Sequence, residues 1–263
     1  MHRIRIVLNY IKFWFTARNR KGFGIHSPFV FKLVIQVIHD YTPFYCFAEI
    51  EVQRKKLLKN NCEIQVNDLG TGKTKNKGKQ RKISELAKNS LKPAKQAQLL
   101  FRLINYFGYR NLLEIGTSLG ITSSYLAKTD SRAKLISLEG CENTAGLAQE
   151  TFDKLKLNNI ELMRGDFSQT LPQALEKFNQ LDFVFFDGNH TKSATLNYFE
   201  HCLEKIHNES LFVFDDIYLN GDMEAVWESI KKHPRVRVSL NLFHLGLVFF
   251  KKELSKQHFN LRF

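Results

Sequence analysis

From Ala94 onward the chain alternates between short apolar runs and segments with helical spacing. The runs 111–115, 134–139, 159–163, 181–186 and 210–214 have strand length, and the first helical pattern covers 96–107. Strands that are apolar at nearly every position need cover on both faces, and helices between successive strands supply it. The pattern therefore predicts an α/β fold around an open parallel sheet. Two further runs, 235–240 and 243–250, are joined by a turn around Asn241, too short for a crossover, so they must be antiparallel neighbours. The expected sheet has seven strands, mostly parallel, with an antiparallel last strand.

The first third of the chain differs in charge. Residues 1–95 hold 20 Lys or Arg against 6 Asp or Glu, whereas residues 96–263 hold 19 against 20. This split predicts a basic helical N-terminal region with an exposed polar loop, 1–95, ahead of the α/β domain, 96–263. The basic excess suits either a solvated face or an anionic partner, such as RNA or a membrane surface. Ile4, Val7, Leu8, Ile11 and Trp14 recur at helical spacing, which predicts an amphipathic basic helix packed on its own domain, with docking on an anionic membrane or a partner as the alternative. Ser27-Pro28 opens a second, largely apolar helix to about Ile38, with serine as its cap. Residues 51–91 are the most polar stretch, and their core KTKNKGKQRK reads as an exposed loop.

With 43% hydrophobic residues and 13% aromatic, the chain is not of the disordered class. Cys46, Cys62, Cys141 and Cys202 are scattered, without zinc-site spacing or a disulfide framework, and fit a reducing cytoplasm. No apolar run reaches the roughly 18–20 residues of a membrane span, and Arg5, Asn9 and Lys12 interrupt the first apolar cluster, unlike a signal peptide.

Two glycine loops compete as nucleotide sites. NDLGTGKT, 67–74, has Asn67 where a phosphate-binding P-loop needs glycine, and reads as an exposed turn. NLLEIGTSLGITSSYLA, 111–127, is instead a strand, a glycine turn and a helix start, with Gly116 and Gly120 free to bring bare backbone close to a ligand. The next strand ends in Glu139, an acid placed to accept hydrogen bonds from both hydroxyls of a ribose. Asp187 ends the fourth strand and Asp215 and Asp216 the fifth. Carboxylates gathered at neighbouring strand ends repel unless a cation, proton or base relieves them, and oxygen ligands suit magnesium, calcium or manganese.

As one pattern these residues resemble the class I S-adenosylmethionine-dependent methyltransferases, and within them the catechol and caffeoyl-CoA type O-methyltransferases, over roughly 96–252. The resemblance implies a Rossmann-like fold and S-adenosylmethionine as cofactor. EIGTSLG is similar to the family's first motif, so Glu114, Gly116, Thr117, Ser118 and Gly120 would hold the methionine end and Glu139 the ribose. RGDFSQTLPQ, 164–173, is similar to the stretch where Asp166 and Phe167 would border the adenine, and Asp187 lies beside the cofactor. These O-methyltransferases hold a divalent metal, which makes Asp187, Asp215 and Asp216 the ligand candidates, with Mg2+ or another divalent cation bound. Where the family has a lysine three residues after the first metal acid, this chain has His190, with Lys192 two further on. His190 is the candidate general base, with Asp187 and Lys192 beside it, and a strand-end histidine that merely hydrogen-bonds a carboxylate is the competing reading. GFGIHSPF, 22–29, looks like an N-terminal feature of uncharacterised bacterial relatives, which implies a lid or substrate-side wall; a helix cap with a solvated His26 is the alternative.

The motifs for methylating exocyclic amino groups or pyrimidine rings of bases are absent from the sequence. The activity that the resemblance implies is O-methylation of a small-molecule acceptor, expected in the cytoplasm. The competing class is a protein that binds RNA or anionic lipid on a methyltransferase fold without turnover, or an RNA methyltransferase that uses the basic region. No motif bears on the oligomeric state.

Overall fold

The computed structural model describes residues 2–17, 24–67 and 78–263. In chain order the elements begin with α1 (His2–Thr16), α2 (Pro28–Leu33, prolonged by a π-helical turn Val34–Ile38), α3 (Tyr45–Lys59), β1 (Glu63–Val66), β2 (Lys79–Lys82), α4 (Ile83–Ser90) and α5 (Ala94–Phe107). The alternating part follows as β3 (Asn111–Ile115), α6 (Ile121–Ala127), β4 (Lys134–Glu139), α7 (Glu142–Lys154), β5 (Ile160–Arg164), α8 (Phe167–Glu176), β6 (Leu181–Phe186), α9 (Lys192–Leu203) and β7 (Ile206–Asp215). It closes with α10 (Gly221–Lys232), β8 (Val238–Asn241), β9 (Leu245–Phe249) and β10 (Gln257–Asn260). The fold is α/β and Rossmann-like, with β3–β10 in a mostly parallel sheet of eight strands.

Internal contacts divide the chain into two units, 42–179 and 1–41 with 180–263. In the first, β3, β4 and β5 run parallel in that order, with Ile115 opposite Leu138 and Glu139 opposite Arg164, so their carboxyl ends lie level. The buried faces of Leu112, Leu113, Ile136 and Leu138 explain why these runs read as continuous apolar segments. The polar stretch of this unit holds regular structure on either side of its core. Its residues 68–77, which hold most of the P-loop-like motif and the start of the lysine core, lie outside the described residues, but Lys79–Lys82 form a solvent-facing strand paired antiparallel with β1. Leu86 and Ala87 of α4 pack around Leu119, with Leu57, Leu58, Ile64 and Val66 against them.

In the second unit the order is β10-β8-β9-β7-β6. β6 and β7 are parallel, β9 is antiparallel to both β7 and β8, and β10 is parallel to β8. The run expected to be antiparallel is β9, but it is not the last strand. β10 is an eighth strand, and its half-buried residues Gln257, Phe259 and Asn260 carry no apolar run that would have marked it. Phe186 and Phe214 stack with centroids 4.4 Å apart at the ends of β6 and β7.

Ser27 caps α2 as expected, its Oγ accepting from the Val30 amide at 3.4 Å, while His26 is exposed. The orientation of α1 reverses the expectation. Its packed face is Ile6, Phe13 and Ala17 against Phe243, with Arg5 and Asn9 bonded to Glu224 at 2.8 and 2.6 Å. Arg5 passes so close to Gly221 that a Cβ there would meet its guanidinium at 2.7 Å. Ile4, Val7, Leu8, Ile11 and Trp14, the stripe read as packed on the domain, instead face outward at 47–65% exposure. Among the described residues no helix is long and apolar enough to cross a membrane.

Candidate active site

The first cluster gathers at the ends of β3, β4 and β5. The amides of Gly116 and Thr117 both donate to the Leu138 carbonyl at 3.0 Å, which folds the loop after β3 over the end of β4. Glu139 fastens it: one carboxylate oxygen accepts from the Ser118 amide at 2.8 Å and the other from the Cys141 amide at 2.9 Å. Burial raises the Glu139 pKa, and the amides of Cys141, Ser118 and Gly140 oppose that rise. A carboxylate offers about four acceptor sites, so capacity remains beside these amides for a ribose hydroxyl. Gly116 and Ser118 both have positive φ, 106° and 51°, a shape that turns successive amides out of the strand direction. The Gly165 amide donates to the Glu139 carbonyl at 2.9 Å, which brings Asp166 and Phe167 to the same rim. Asp166 is exposed and caps α8; the Ser168 hydroxyl and amide hold its carboxyl below the usual range.

Beneath the loop lies a buried network. Glu114 is fully buried and accepts from the hydroxyls of Ser123 and Ser137, the latter at 2.6 Å, and Ser137 pairs with the Thr117 hydroxyl at 2.5 Å. Burial pushes the Glu114 carboxyl up to about 7 despite these hydroxyls, with a smaller push from Glu139. The side chains of Glu114 and Thr117 thus point into this support, and Thr117 faces the rim only through its backbone. Gly120 has a packing reason. It starts α6 with φ 77°, and a Cβ would meet the Phe152 ring of α7 at 2.6 Å. One glycine serves the turn, and the other admits a helix.

The second cluster belongs to the other unit. Phe186 pairs with Phe214 across the parallel β6–β7 ladder, so Asp187 and Asp215 leave adjacent strand ends together. Asp187, His190 and Asp215 each offer a ligand atom, all within 4.8 Å of one another, and His190 Nε2 lies 3.8 Å from an Asp187 oxygen. Asp215 is buried, and the other two are half-buried. The loop that carries His190 turns at Asn189, φ 51°, whose side chain accepts from the Thr191 hydroxyl at 3.1 Å. Asn220, the cap of α10, donates to the His190 carbonyl at 3.2 Å. The two carboxylates are oxygen donors suited to one divalent cation, with the imidazole beside them. Asp216 is half-buried with φ 49° and is not a member of this trio; Lys192 is exposed at the start of α9, its amide 3.4 Å from Asp222.

Sequence reasoning missed several supports. Ser90 at the end of α4 accepts from the Ser118 hydroxyl at 2.9 Å, and the β1 end reaches the β4–α7 junction, where the Asn67 amide lies 3.4 Å from the Cys141 sulfur. Both come from the polar stretch 51–91, whose polarity hid them. Asn189 and Asn220 carried a weak signal: Asn tolerates positive φ and caps helices.

Comparison with known proteins places this geometry. Residues 113–217 match the model of a family described as a methyltransferase domain. No curated protein matches the chain. Among solved structures, the O-methyltransferase from Bacillus cereus in complex with SAH is 20% identical, with a TM-score of 0.57 over 80% of this chain and 92% of that one. The O-methyltransferase TomG from Streptomyces achromogenes, involved in tomaymycin synthesis and in complex with SAM, is 22% identical, with a TM-score of 0.55 over 62% of this chain and 82% of that one. SAH-bound Podospora anserina methyltransferase PaMTH1 is 15% identical, with a TM-score of 0.55 over 81% and 99%. The chain is therefore similar over 113–217 to a methyltransferase domain, and its fold is the Rossmann-like one of these solved structures.

Proposed function

We propose that the protein transfers a methyl group from S-adenosylmethionine to an oxygen of a small-molecule acceptor. The observation that carries this reading is Glu139, half-buried and held by the Ser118 and Cys141 amides with acceptor capacity left for a ribose hydroxyl. Bound S-adenosylmethionine would supply an electrophilic methyl on sulfur. The chain's own work is to bind and align. Glu139 holds the ribose, the backbone of Gly116–Ser118 holds the methionine end, and Asp166 and Phe167 border the adenine. Alignment of this kind contributes about 7–11 kcal/mol when both partners are held in line.

Acceptor activation falls to the second cluster. His190 Nε2 takes the proton of the acceptor hydroxyl, and Asp187, 3.8 Å away, stabilises the imidazolium. The carboxylates of Asp187 and Asp215 would hold a divalent cation, which relieves their repulsion and lowers the pKa of a bound hydroxyl. We assign catalysis to residues 96–263 and support of the site to parts of 1–95, such as Ser90. The four free cysteines support a cytoplasmic setting.

The test is methyl transfer from labelled S-adenosylmethionine to a panel of phenols, catechols and sugars, with and without a chelator. Transfer to an oxygen that the chelator suppresses is the expected result. Label on nitrogen alone contradicts the acceptor assignment, and transfer indifferent to chelator removes the cation.

A further inference from the structure

The outward face of α1 lies apart from the residues assigned to methyl transfer. Ile4, Val7, Leu8, Tyr10, Ile11, Trp14 and Phe15 are 47–76% exposed on one helix, although the opposite face is fixed to Phe243 and Glu224. Isolated exposed apolar residues are ordinary, but a continuous stripe of this size marks a contact surface. At 15 residues the helix is about 22 Å long, too short to span a bilayer and long enough to lie in its interface.

Charge identifies the occupant. Residues 1–39 contain seven Lys or Arg and no Asp or Glu. Lys12 is exposed on the flank of the stripe, and Arg18, Arg20 and Lys21 follow the helix in sequence. Tyr10 and Trp14 lie at one border of the stripe, and Arg262 covers the Trp14 ring at 4.4 Å. Aliphatic residues at the centre, amphipathic aromatics at the border and cations beside them are the composition of an interfacial helix on anionic lipid. A second copy would bring the same cations against themselves. RNA has no use for four aliphatic side chains, because single strands bind by stacking and phosphate contacts. We propose that α1 seats the protein on an anionic membrane surface, with Ile4, Val7, Leu8, Ile11 and Phe15 among the acyl chains and the basic flank at the headgroups. This is peripheral docking, and it does not depend on which acceptor is methylated.

Sedimentation of the full chain with vesicles of phosphatidylcholine, alone or mixed with phosphatidylglycerol, tests it. Binding should require the anionic lipid and weaken with salt. The double substitution Leu8→Ser, Ile11→Ser should reduce binding roughly a hundredfold without lowering the melting temperature, since both side chains face solvent. Tryptophan emission gives a second readout: of the two tryptophans Trp227 is 1% exposed, so a blue shift on adding vesicles reports Trp14. Lys12→Glu should weaken binding to anionic vesicles alone. The proposal is overturned if the chain ignores anionic vesicles at low salt, or if the double variant binds them as well as the unaltered protein. It is equally overturned if that variant abolishes a dimer or RNA binding in a chain that vesicles do not recruit.

Discussion

The two clusters, one in each unit, are built by different means. At the ends of β3, β4 and β5 the backbone does most of the work: amides of Gly116, Thr117, Ser118 and Cys141 converge on Leu138 and Glu139. At the ends of β6 and β7 the work falls to side chains, with Asp187, His190 and Asp215 brought together by strand pairing and an asparagine-braced loop. A backbone-built site needs glycine and one well-placed acid, so it leaves a local pattern. A side-chain site leaves only residues that become neighbours once the sheet forms. In the proposed function the two also divide the work: the first would hold the cofactor by its hydroxyls and the second would take the proton of the acceptor.

Substitutions should dissociate these roles. The largest effect is expected for His190→Ala, which should lower kcat by about 10²–10⁴-fold, and Asp215→Asn should weaken Mn2+ binding, read by titration calorimetry, both leaving S-adenosylhomocysteine affinity unchanged. Equal loss of both affinities would merge the two clusters into one functional unit. Glu139→Ala should do the reverse: cofactor affinity falls about 10–100-fold, the worth of one or two hydrogen bonds to a charged group, and Mn2+ binding persists. Gly120→Ala sharpens the picture of the first cluster, because strain at φ 77° and the Phe152 contact at 2.6 Å should destabilise the fold by about 1–3 kcal/mol, measured by denaturant unfolding. Were glycine there only for ligand approach, affinity would drop and stability would not.

The smallest effect is expected at Glu114 and is a change of slope. Its native pKa of about 7 exceeds the ordinary 4.5, so the folded state holds the proton more tightly than the unfolded one. The stability it contributes is full below about pH 4.5 and is lost as pH rises through 7. Glu114→Gln should flatten this decline in a series of melts from pH 4.5 to 8. An unchanged slope would show that the buried network has another proton donor.

Much of the fold was legible because apolar runs end where strands end: 111–115, 134–139 and 181–186 match β3, β4 and β6 residue for residue. β10 was not legible, since a half-buried strand with one aromatic carries no periodic signal. The stripe on α1 was read correctly as a helix face and given the wrong partner. Periodicity locates an apolar face but not what covers it, and the face that docks, with Asn9 and Arg5 beside Phe13, is mixed in character. In the site, the Gly116 turn and Glu139 could be read because each answers a local geometric demand. The hydroxyls of Ser123 and Ser137 under Glu114, and Ser90 beside Ser118, could not, because serine is common and only the folded chain shows which serines meet an acid.

The central claim is that Glu139 and the loop it fastens recognise the ribose and methionine ends of an S-adenosyl cofactor. Isothermal titration of the folded protein with S-adenosylhomocysteine, repeated on Glu139→Ala with its fold checked by circular dichroism, tests this most directly. The account predicts saturable heat at one site per chain that the substitution weakens at least tenfold. Absence of heat from the unaltered protein, or heat indifferent to the loss of this carboxylate, would contradict it.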